Sequence, residues 1–174
     1  MNAPLPRQVT ESAAHTYERV SHSFNEVAGK LAARLRTETQ GEVLFSAADR
    51  GRYATDASIY QVIPVGVFVP RHAHEVPIAM AICRDLGVPI VPRGGGTSQC
   101  GQTTGAGLVI DHSKYVRNVL HIDAEQRTAE VEPGIVLDHL NAALKKHGLW
   151  FPVDVSTSAQ ATLGGMAGNN SLMH

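Results

Sequence analysis

The sequence has few of the features that mark disulfide-rich, nucleic-acid-binding or membrane-spanning proteins. It holds two cysteines among 174 residues, Cys83 and Cys100, which are too few for a structural zinc site by themselves. A formal net charge of -1 gives no overall basic field that would hold nucleic acid or an anionic membrane. No apolar run approaches the roughly 20 residues that a bilayer span needs, and the first residues lack the apolar core of a signal peptide. We therefore expect a cytoplasmic protein with no nucleic-acid partner, no membrane span and no metal site.

The composition is that of a globular domain with a distinct N-terminal segment. Hydrophobic residues make up 43% of the chain, which is enough to build a core. Apolar residues from Phe24 to Leu35 recur at helical spacing between charged residues, which predicts an amphipathic helix over about Val20–Thr39. We therefore divide the chain into an N-terminal helical segment, residues 1–40, and one domain over residues 41–174.

From Gly41 the pattern alternates between strands and helices. The short apolar runs "EVLF", "VGVFVP", "VPIVP" and "GLVID" predict strands, and a helix is predicted from about His74 to Leu86. This helix has Pro77 in its first turn and Gly87 as its stop. Its predicted apolar face holds Val76, Ala79, Met80 and Cys83. Because such a helix can connect two parallel strands, the order predicts a βαβ unit.

The following part of the chain predicts an antiparallel pair and a further helix. "VLHID" and "RTAEVEP" flank the short stretch Ala124–Gln126, as the strands of a hairpin would. Leu137, Leu140 and Leu144 then lie at helical spacing, and Gly148 follows as a stop. The sequence therefore predicts an α+β fold, with a small parallel βαβ unit followed by an antiparallel sheet with helices.

The segment Val91–Gly105, "VPRGGGTSQCGQTTG", is the strongest candidate for a binding loop. Its three consecutive glycines let successive backbone N–H groups converge on an anion. It is not a Walker A loop, because Gln102 stands in place of the lysine, and it is not a Rossmann fingerprint, because Gln99 stands in place of the last glycine. By composition alone an ordinary surface turn is an equal alternative. A second run of small residues, Thr162–Gly168, favours two cradles for one extended ligand.

Several other polar residues can be interpreted either as functional or as structural. Arg93 either assists a bound diphosphate or pairs with a carboxylate. Cys100 lies in the glycine loop with nothing nearby in sequence to lower the pKa of its thiol, whereas Cys83 is predicted to be a core residue. His72 and His74 lack the further ligands of a closed metal site and are expected in a solvated turn before a helix. No catalytic residue and no metal ligand is assigned.

The run "PRGGGTSQCGQ", followed by "VEPG" and then by "FPVD" and "ATLGGMAGNNS", resembles the FAD-binding domain of the vanillyl-alcohol oxidase and p-cresol methylhydroxylase (PCMH-type) superfamily. Within that superfamily the chain is most similar to the FAD-linked dehydrogenases of D-2-hydroxy acids, such as D-lactate and D-2-hydroxyglutarate. The likeness runs from about Phe45 to Ser171. It implies the FAD-binding part of a flavin-dependent oxidoreductase that oxidises a small 2-hydroxy acid by hydride transfer to flavin N5.

The resemblance also implies which residues contact FAD. The glycine loop would wrap the diphosphate, a Pro-Gly pair and a later proline would approach the flavin, and the second run of small residues would form the other cradle. The residues implied are Arg93, Gly94, Gly95, Gly96, Thr97, Ser98, Gln99, Gln102, Pro133, Gly134, Pro152, Thr162, Gly164, Gly165, Ala167 and Asn169. No histidine lies between Val91 and Gly105, so noncovalent FAD is expected.

Proteins of this family continue beyond the position of His174, through the rest of the flavin domain and a substrate-binding cap. The resemblance therefore implies an N-terminal fragment whose PCMH-type domain is incomplete at its C-terminal side. Substrate-binding and catalytic residues would lie in the missing part, as would any iron–sulfur cluster. The alternatives are a noncatalytic nucleotide-binding module and a flavoenzyme of the same fold that acts on a sugar lactone, a phenol or an enolpyruvyl nucleotide sugar.

Overall fold

A computed structural model describes residues 25–171, which form two sheets covered by helices. The first sheet consists of β1 (Glu42–Leu44), β2 (Gly66–Val69), β3 (Ile90–Arg93) and β4 (Leu108–Asp111). The second consists of β5 (Val119–Asp123) and β6 (Thr128–Val131). The helices are α1 across residues 25–38, α2 (Ala47–Arg52), α3 (Glu75–Leu86), α4 (Leu137–Leu144) with a 3₁₀ turn at Lys145–His147, and α5 (Leu163–Gly168). The predicted α+β fold is confirmed.

The order of strands in the first sheet determines where the glycine loop begins. The order is β1-β2-β4-β3, with β2, β4 and β3 parallel and β1 antiparallel to β2. Helix α3 connects β2 to β3, as the predicted βαβ unit requires, and β4 inserts between those two strands. Residues 94–107 connect β3 to its parallel neighbour β4, a connection that has to run back along the sheet. The loop therefore starts at the carboxyl end of the sheet, where Arg93 is in register with Asp111.

The two central strands are buried on both faces. Phe68 of β2 and Leu108 and Ile110 of β4 pack against the helices, while Val67 and Val109 belong to the core on the opposite face. Because both faces are covered, these strands read as continuous apolar runs without alternation of polar residues. Such burial fixes the ends of the strands, and with them the start of the glycine loop.

Helix α1 packs into the same core. Leu31 and Leu35 are fully buried beside residues of β2, β4 and α3. The predicted amphipathic helix is thus confirmed over 25–38, whereas its predicted first residues, 20–24, lie outside the described part of the chain.

The buried stripe of α3 differs from the predicted one. Ala79 and Cys83 are buried as predicted, but the prediction for Met80 was wrong, since its side chain is 50% exposed. Ile82 and Glu75 are also buried. Successive residues are rotated by about 100° around the helix axis, so residues 75, 79 and 82 lie on one face, and this face points into the core. The Glu75 carboxylate accepts backbone hydrogen bonds from Gln40 at 2.5 Å, from Arg71 at 2.6 Å and from His72 at 3.2 Å, which compensates its burial.

The second sheet is the predicted hairpin, with α4 packed against it. Leu140 and Leu144 form a core with Ile135, and apolar residues of both strands pack around them. The stops predicted for the helices are confirmed, since Gly87 and Gly148 adopt left-handed φ values of 65° and 69°. Within the described residues, no helix is both long and apolar enough to cross a membrane.

Candidate functional site

The two glycine-containing segments meet and line one cavity of about 550 Å³. This volume lies in the range typical of small-molecule sites, roughly 300 to 1,000 Å³. One wall is formed by residues 94–103 of the connection between β3 and β4, and these residues are named the glycine loop from here on. The facing wall is formed by residues 155–171, here named the second segment. The predicted residues that line the cavity are Arg93, Gly94, Gly95, Gly96, Thr97, Ser98, Gln99, Gln102, Pro133, Thr162, Gly164, Gly165 and Asn169.

Three of the predicted residues do not line this cavity. They are Gly134, Pro152 and Ala167. Gly134 is buried, its N–H donates to Val116 O at 2.8 Å, and a Cβ added to it would lie 2.1 Å from His112 O. Pro152 and Ala167 are exposed. Gly134 is therefore a packing residue of the described structure.

Two glycines of the loop are required by close packing against the second segment. A Cβ added to Gly94 would lie 2.1 Å from Thr162 Oγ1, and a Cβ added to Gly95 would lie 2.2 Å from Gln160 O. Real Cβ atoms essentially never approach another heavy atom within 3.0 Å. The loop and the second segment thus touch directly, and the absence of side chains at these two positions allows the contact.

Side-chain hydrogen bonds also connect the two walls. Gln102 Nε2 donates to Asn169 Oδ1 at 3.2 Å, and Ser98 Oγ is hydrogen-bonded to Gln102 Oε1. Thr162 caps α5 by accepting a hydrogen bond from the Gly165 N–H at 3.3 Å. Hydrogen bonds between residues that the sequence placed in two separate cradles therefore join the two walls of the cavity.

Arg93 has partners that neither interpretation of the sequence included. Its Nη1 donates to Thr55 O at 2.9 Å and lies 3.5 and 3.4 Å from Thr103 O and Oγ1. The guanidinium carbon lies 5.8 Å from the centre of the Tyr53 ring. Oxygens of Thr55 and Thr103 thus contact Nη1 of this cation, which also lines the cavity.

Further lining residues were not among those predicted to contact a ligand. Besides the apolar Val155, Ala161 and Met166, they include Cys100 and His112. Burial lowers the pKa of the His112 imidazole below its usual value. The position of His112 at a ligand site could have been predicted from the sequence. Ligands of parallel sheets bind beyond the carboxyl ends of the strands, and His112 directly follows β4. The apolar lining residues belong to no motif.

The cysteines and the paired histidines occupy the environments that the sequence suggested. Cys83 is buried, which raises the pKa of its thiol to about 11, whereas Cys100 is exposed. His72 and His74 are exposed before α3, with ring centres 5.4 Å apart. Within residues 25–171 no group of three or more metal-binding side chains comes together.

Comparison with known families identifies the chain. The profile of the FAD binding domain family matches residues 64–174. The chain belongs to this FAD-binding family. Family membership agrees with the PCMH-type resemblance and confirms FAD as the cofactor.

Relatives of known name share about two fifths of the matched residues. D-2-hydroxyglutarate dehydrogenase of Pantoea ananatis is 39% identical over 142 residues, which cover 77% of this chain and 14% of that protein. The enzyme of the same name from Pseudomonas putida is 42% identical over 130 residues, covering 73% and 13%. Glycolate oxidase subunit GlcD of Bacillus subtilis is 38% identical over 139 residues, covering 77% and 29%. The chain thus spans less than a third of the length of each of these relatives.

Solved structures with a similar fold include two proteins of lower identity. Alkyldihydroxyacetonephosphate synthase superposes with a TM-score of 0.69 at 23% identity, covering 76% of this chain and 29% of that one. A BBE-like 1 variant of Physcomitrella patens superposes with a TM-score of 0.65 at 20% identity, covering 78% and 30%. At these identities the likeness concerns the fold, and it supports the fold predicted from the sequence.

The residues of the cavity fit the diphosphate part of FAD. The glycine loop, with the hydroxyl and amide side chains of Thr97, Ser98 and Gln99, lines the space, and neutral donors of this kind can surround an anion without a metal ion. Gly164 and Gly165 line the facing wall, and a Cβ added to Gly164 would lie 2.7 Å from Pro133 Cβ, so this glycine is required by packing. The neutral donor set therefore fits the diphosphate of a dinucleotide.

Proposed function

We propose that this chain is the FAD-binding part of a flavin-dependent oxidoreductase that oxidises a small 2-hydroxy acid. The observation that carries the proposal is the cavity between the glycine loop and the second segment, in a chain of the FAD-binding family. The substrate class is supported by the two bacterial relatives named D-2-hydroxyglutarate dehydrogenase. Because the chain spans 13–14% of those relatives, activity and substrate belong to the proposal.

The lining residues would hold FAD without a covalent bond. We propose that the glycine loop and Thr162, Gly164, Gly165, Ala167 and Asn169 surround its diphosphate, and that Pro133, Gly134 and Pro152 lie towards the flavin. No histidine occurs between residues 91 and 105 to attach a flavin. The apolar lining residues Val155, Ala161 and Met166 would exclude water. When bound, FAD supplies the hydride acceptor of the reaction.

The boundary between the N-terminal segment, 1–40, and the FAD-binding domain, 41–174, is likewise a proposal. It is supported by the family match, which begins after this boundary, at residue 64. Because α1 packs into the core of the first sheet, we propose that residues 25–38 of the segment are docked on the domain. Location in the cytoplasm is supported by the two free cysteines, since disulfides are rare in that compartment.

Titration with FAD tests the cofactor part of the proposal. The whole protein should bind one FAD per chain, and acid precipitation should release the flavin into the supernatant. Flavin that stays in the pellet would contradict noncovalent binding. A whole protein that is folded but cannot be reconstituted with FAD would overturn the cofactor site.

A substrate panel tests the proposed reaction in the whole protein. Anaerobic addition of D-2-hydroxyglutarate or D-lactate should bleach the visible absorbance of the bound flavin, while a sugar lactone and a phenol should not. Reduction by the lactone or the phenol alone would replace the 2-hydroxy acid by another substrate class. Bound flavin that no substrate reduces would favour a noncatalytic binding module.

A further inference from the structure

Arg93 connects the glycine loop to a neighbouring segment of the chain. Its Nη1 donates to Thr55 O at 2.9 Å and reaches Thr103 O and Oγ1 at 3.5 and 3.4 Å. Residue 55 precedes β2, whereas Thr103 stands at the far end of the loop. One guanidinium therefore holds the end of the glycine loop against a part of the chain that lies outside it.

Asp56 extends this connection beyond the cavity. Its Oδ2 accepts from Thr103 Oγ1 at 2.9 Å, and its Oδ1 accepts from the Ser58 N–H at 2.8 Å. Burial alone would raise the pKa of Asp56, but hydrogen bonds from Ser58 and Thr103 outweigh it and lower the pKa below its usual value. Asp56 is not among the residues that line the cavity. Its hydrogen bond to the loop is made with Thr103.

The loop also closes tightly over the Arg93 side chain. A Cβ added to Gly96 would lie 2.4 Å from Arg93 Nη2, and Gly96 has a left-handed φ of 67°. Gly96 O in turn accepts a hydrogen bond from the Ala57 N–H at 3.1 Å. The middle and the end of the loop are thus both joined to residues 55–57, with the guanidinium packed between them.

We propose that Arg93 is a positioning residue that holds the glycine loop in its ligand-binding shape, rather than a direct ligand of the diphosphate. The inference rests on the proposed function, because it concerns the loop that would bind FAD. Nη1 alone bridges the two oxygen-bearing residues Thr55 and Thr103, at the end of a side chain that is one atom longer than that of lysine. A lysine keeps the charge, but its ammonium ends short of the Nη1 position and has no planar group that fixes the direction of its donors, so it does not reproduce this bridge.

Four variants separate positioning from direct charge contact. Arg93→Lys keeps the charge and removes the bridge, Arg93→Gln removes both, and Asp56→Asn weakens the bridge from outside the cavity. Arg84→Lys is the matched control, since the Arg84 side chain is 80% exposed on α3, outside the cavity. Each variant is examined for amide hydrogen exchange over residues 94–103 without ligand, and for binding of ADP, AMP and FAD.

We expect Arg93→Lys and Arg93→Gln to speed exchange of the loop amides and to weaken ADP and FAD binding, each by about tenfold or more. Asp56→Asn should act in the same direction by about threefold, and Arg84→Lys should change neither quantity. ADP binding should fall more than AMP binding, because the loop is proposed to hold the diphosphate. A general loss of stability would weaken both nucleotides equally.

Several outcomes would overturn the inference. If Arg93→Lys retains the parent affinity while Arg93→Gln loses it, Arg93 acts through its charge. If amide exchange of the loop is unchanged in both Arg93→Lys and Asp56→Asn, the bridge does not hold the loop. Where an Arg93 variant fails to fold, the exchange and affinity of Asp56→Asn test the bridge instead. Amide exchange of the loop is measured without FAD, so it tests the bridge independently of the proposed function. If exchange responds as expected but the protein binds no FAD, the bridge is supported and the proposed function is refuted.

Discussion

Gly95→Ala is the most direct test of how the cavity is built. The added Cβ would lie 2.2 Å from Gln160 O and 3.0 Å from the carbonyl carbon, whereas ordinary contacts begin at 3.4 Å. The obstacle is backbone, so no flexible side chain can move away. The glycine loop and the second segment would have to separate by roughly 1 Å, the difference between 2.2 and 3.4 Å.

The expected cost is that of overpacking a close contact. Such changes destabilise proteins by about 1 to 3 kcal/mol, and each kcal/mol lowers the melting temperature of a chain of this size by roughly 2 to 4 °C. No positive φ is recorded for Gly95, so alanine suffers no backbone strain there. FAD affinity should fall as well, by about tenfold or more, because the separation displaces the walls that would hold the diphosphate.

Urea unfolding and FAD titration of the same samples measure both effects. Gly29→Ala is the matched control, because Gly29 lies in α1 and an added Cβ would meet nothing within 4 Å. That control should leave FAD affinity unchanged and raise stability by up to about 1 kcal/mol. If Gly95→Ala unfolds within about 0.5 kcal/mol of the parent and binds FAD equally well, the two walls do not pack as described.

Two further predictions concern buried and exposed titratable groups. Burial alone would raise the pKa of Glu75, but backbone hydrogen bonds from Gln40, Arg71 and His72 outweigh it, so the pKa lies below its usual 4.5. Its stabilising effect is therefore present above the unfolded value and is lost as pH falls through the lower folded value. Glu75→Gln should lower the free energy of unfolding by about 1.5 to 3 kcal/mol at neutral pH and by less in acid. Urea unfolding at several pH values measures this difference, and an equal loss at all pH values would refute the stabilising role of the Glu75 carboxylate. A thiol reagent should label Cys100 in the native chain and Cys83 only after unfolding, and saturating FAD should slow the labelling of Cys100, which lines the cavity; fast native labelling of Cys83 would contradict its burial.

Local patterns were sufficient to predict most elements of the fold. The continuous apolar runs of β2 and β4 and the glycine stops of α3 and α4 depend on neighbouring residues in the sequence, and all of them are confirmed. The hairpin of β5 and β6 was visible for the same reason, since its turn lies between the strands it joins. The short helices α2 and α5 were not predicted. The buried stripe of α3 was also predicted incorrectly, because its position depends on packing against segments that are distant in sequence, such as Gln40 beside Glu75.

Contacts between distant segments could not be read from the sequence. The glycines of the loop suggested close approach of a ligand, and the structure adds a second reason for them, the contacts of Gly94 and Gly95 with residues 160–162. In the same way, the Thr55 and Thr103 partners of Arg93 follow from the path of the loop over the sheet. Which groups face each other across the cavity depends on the packing of the two halves of the chain, which no local motif specifies.

The same packing links formation of the cavity to folding. The glycine loop leaves the carboxyl end of the first sheet, whereas Thr162 and Gln160 lie beside α4 and the core around Met166. Leu137 N donates to Ala161 O at 3.0 Å, and Gly164 N donates to Pro133 O at 2.8 Å. The second segment is therefore held by residues around the start of α4, in the half of the domain that follows β4. The cavity therefore exists only where both halves are folded and in contact. A ligand that binds there stabilises the assembled chain in proportion to the logarithm of its concentration over its dissociation constant, and it does so for both halves together.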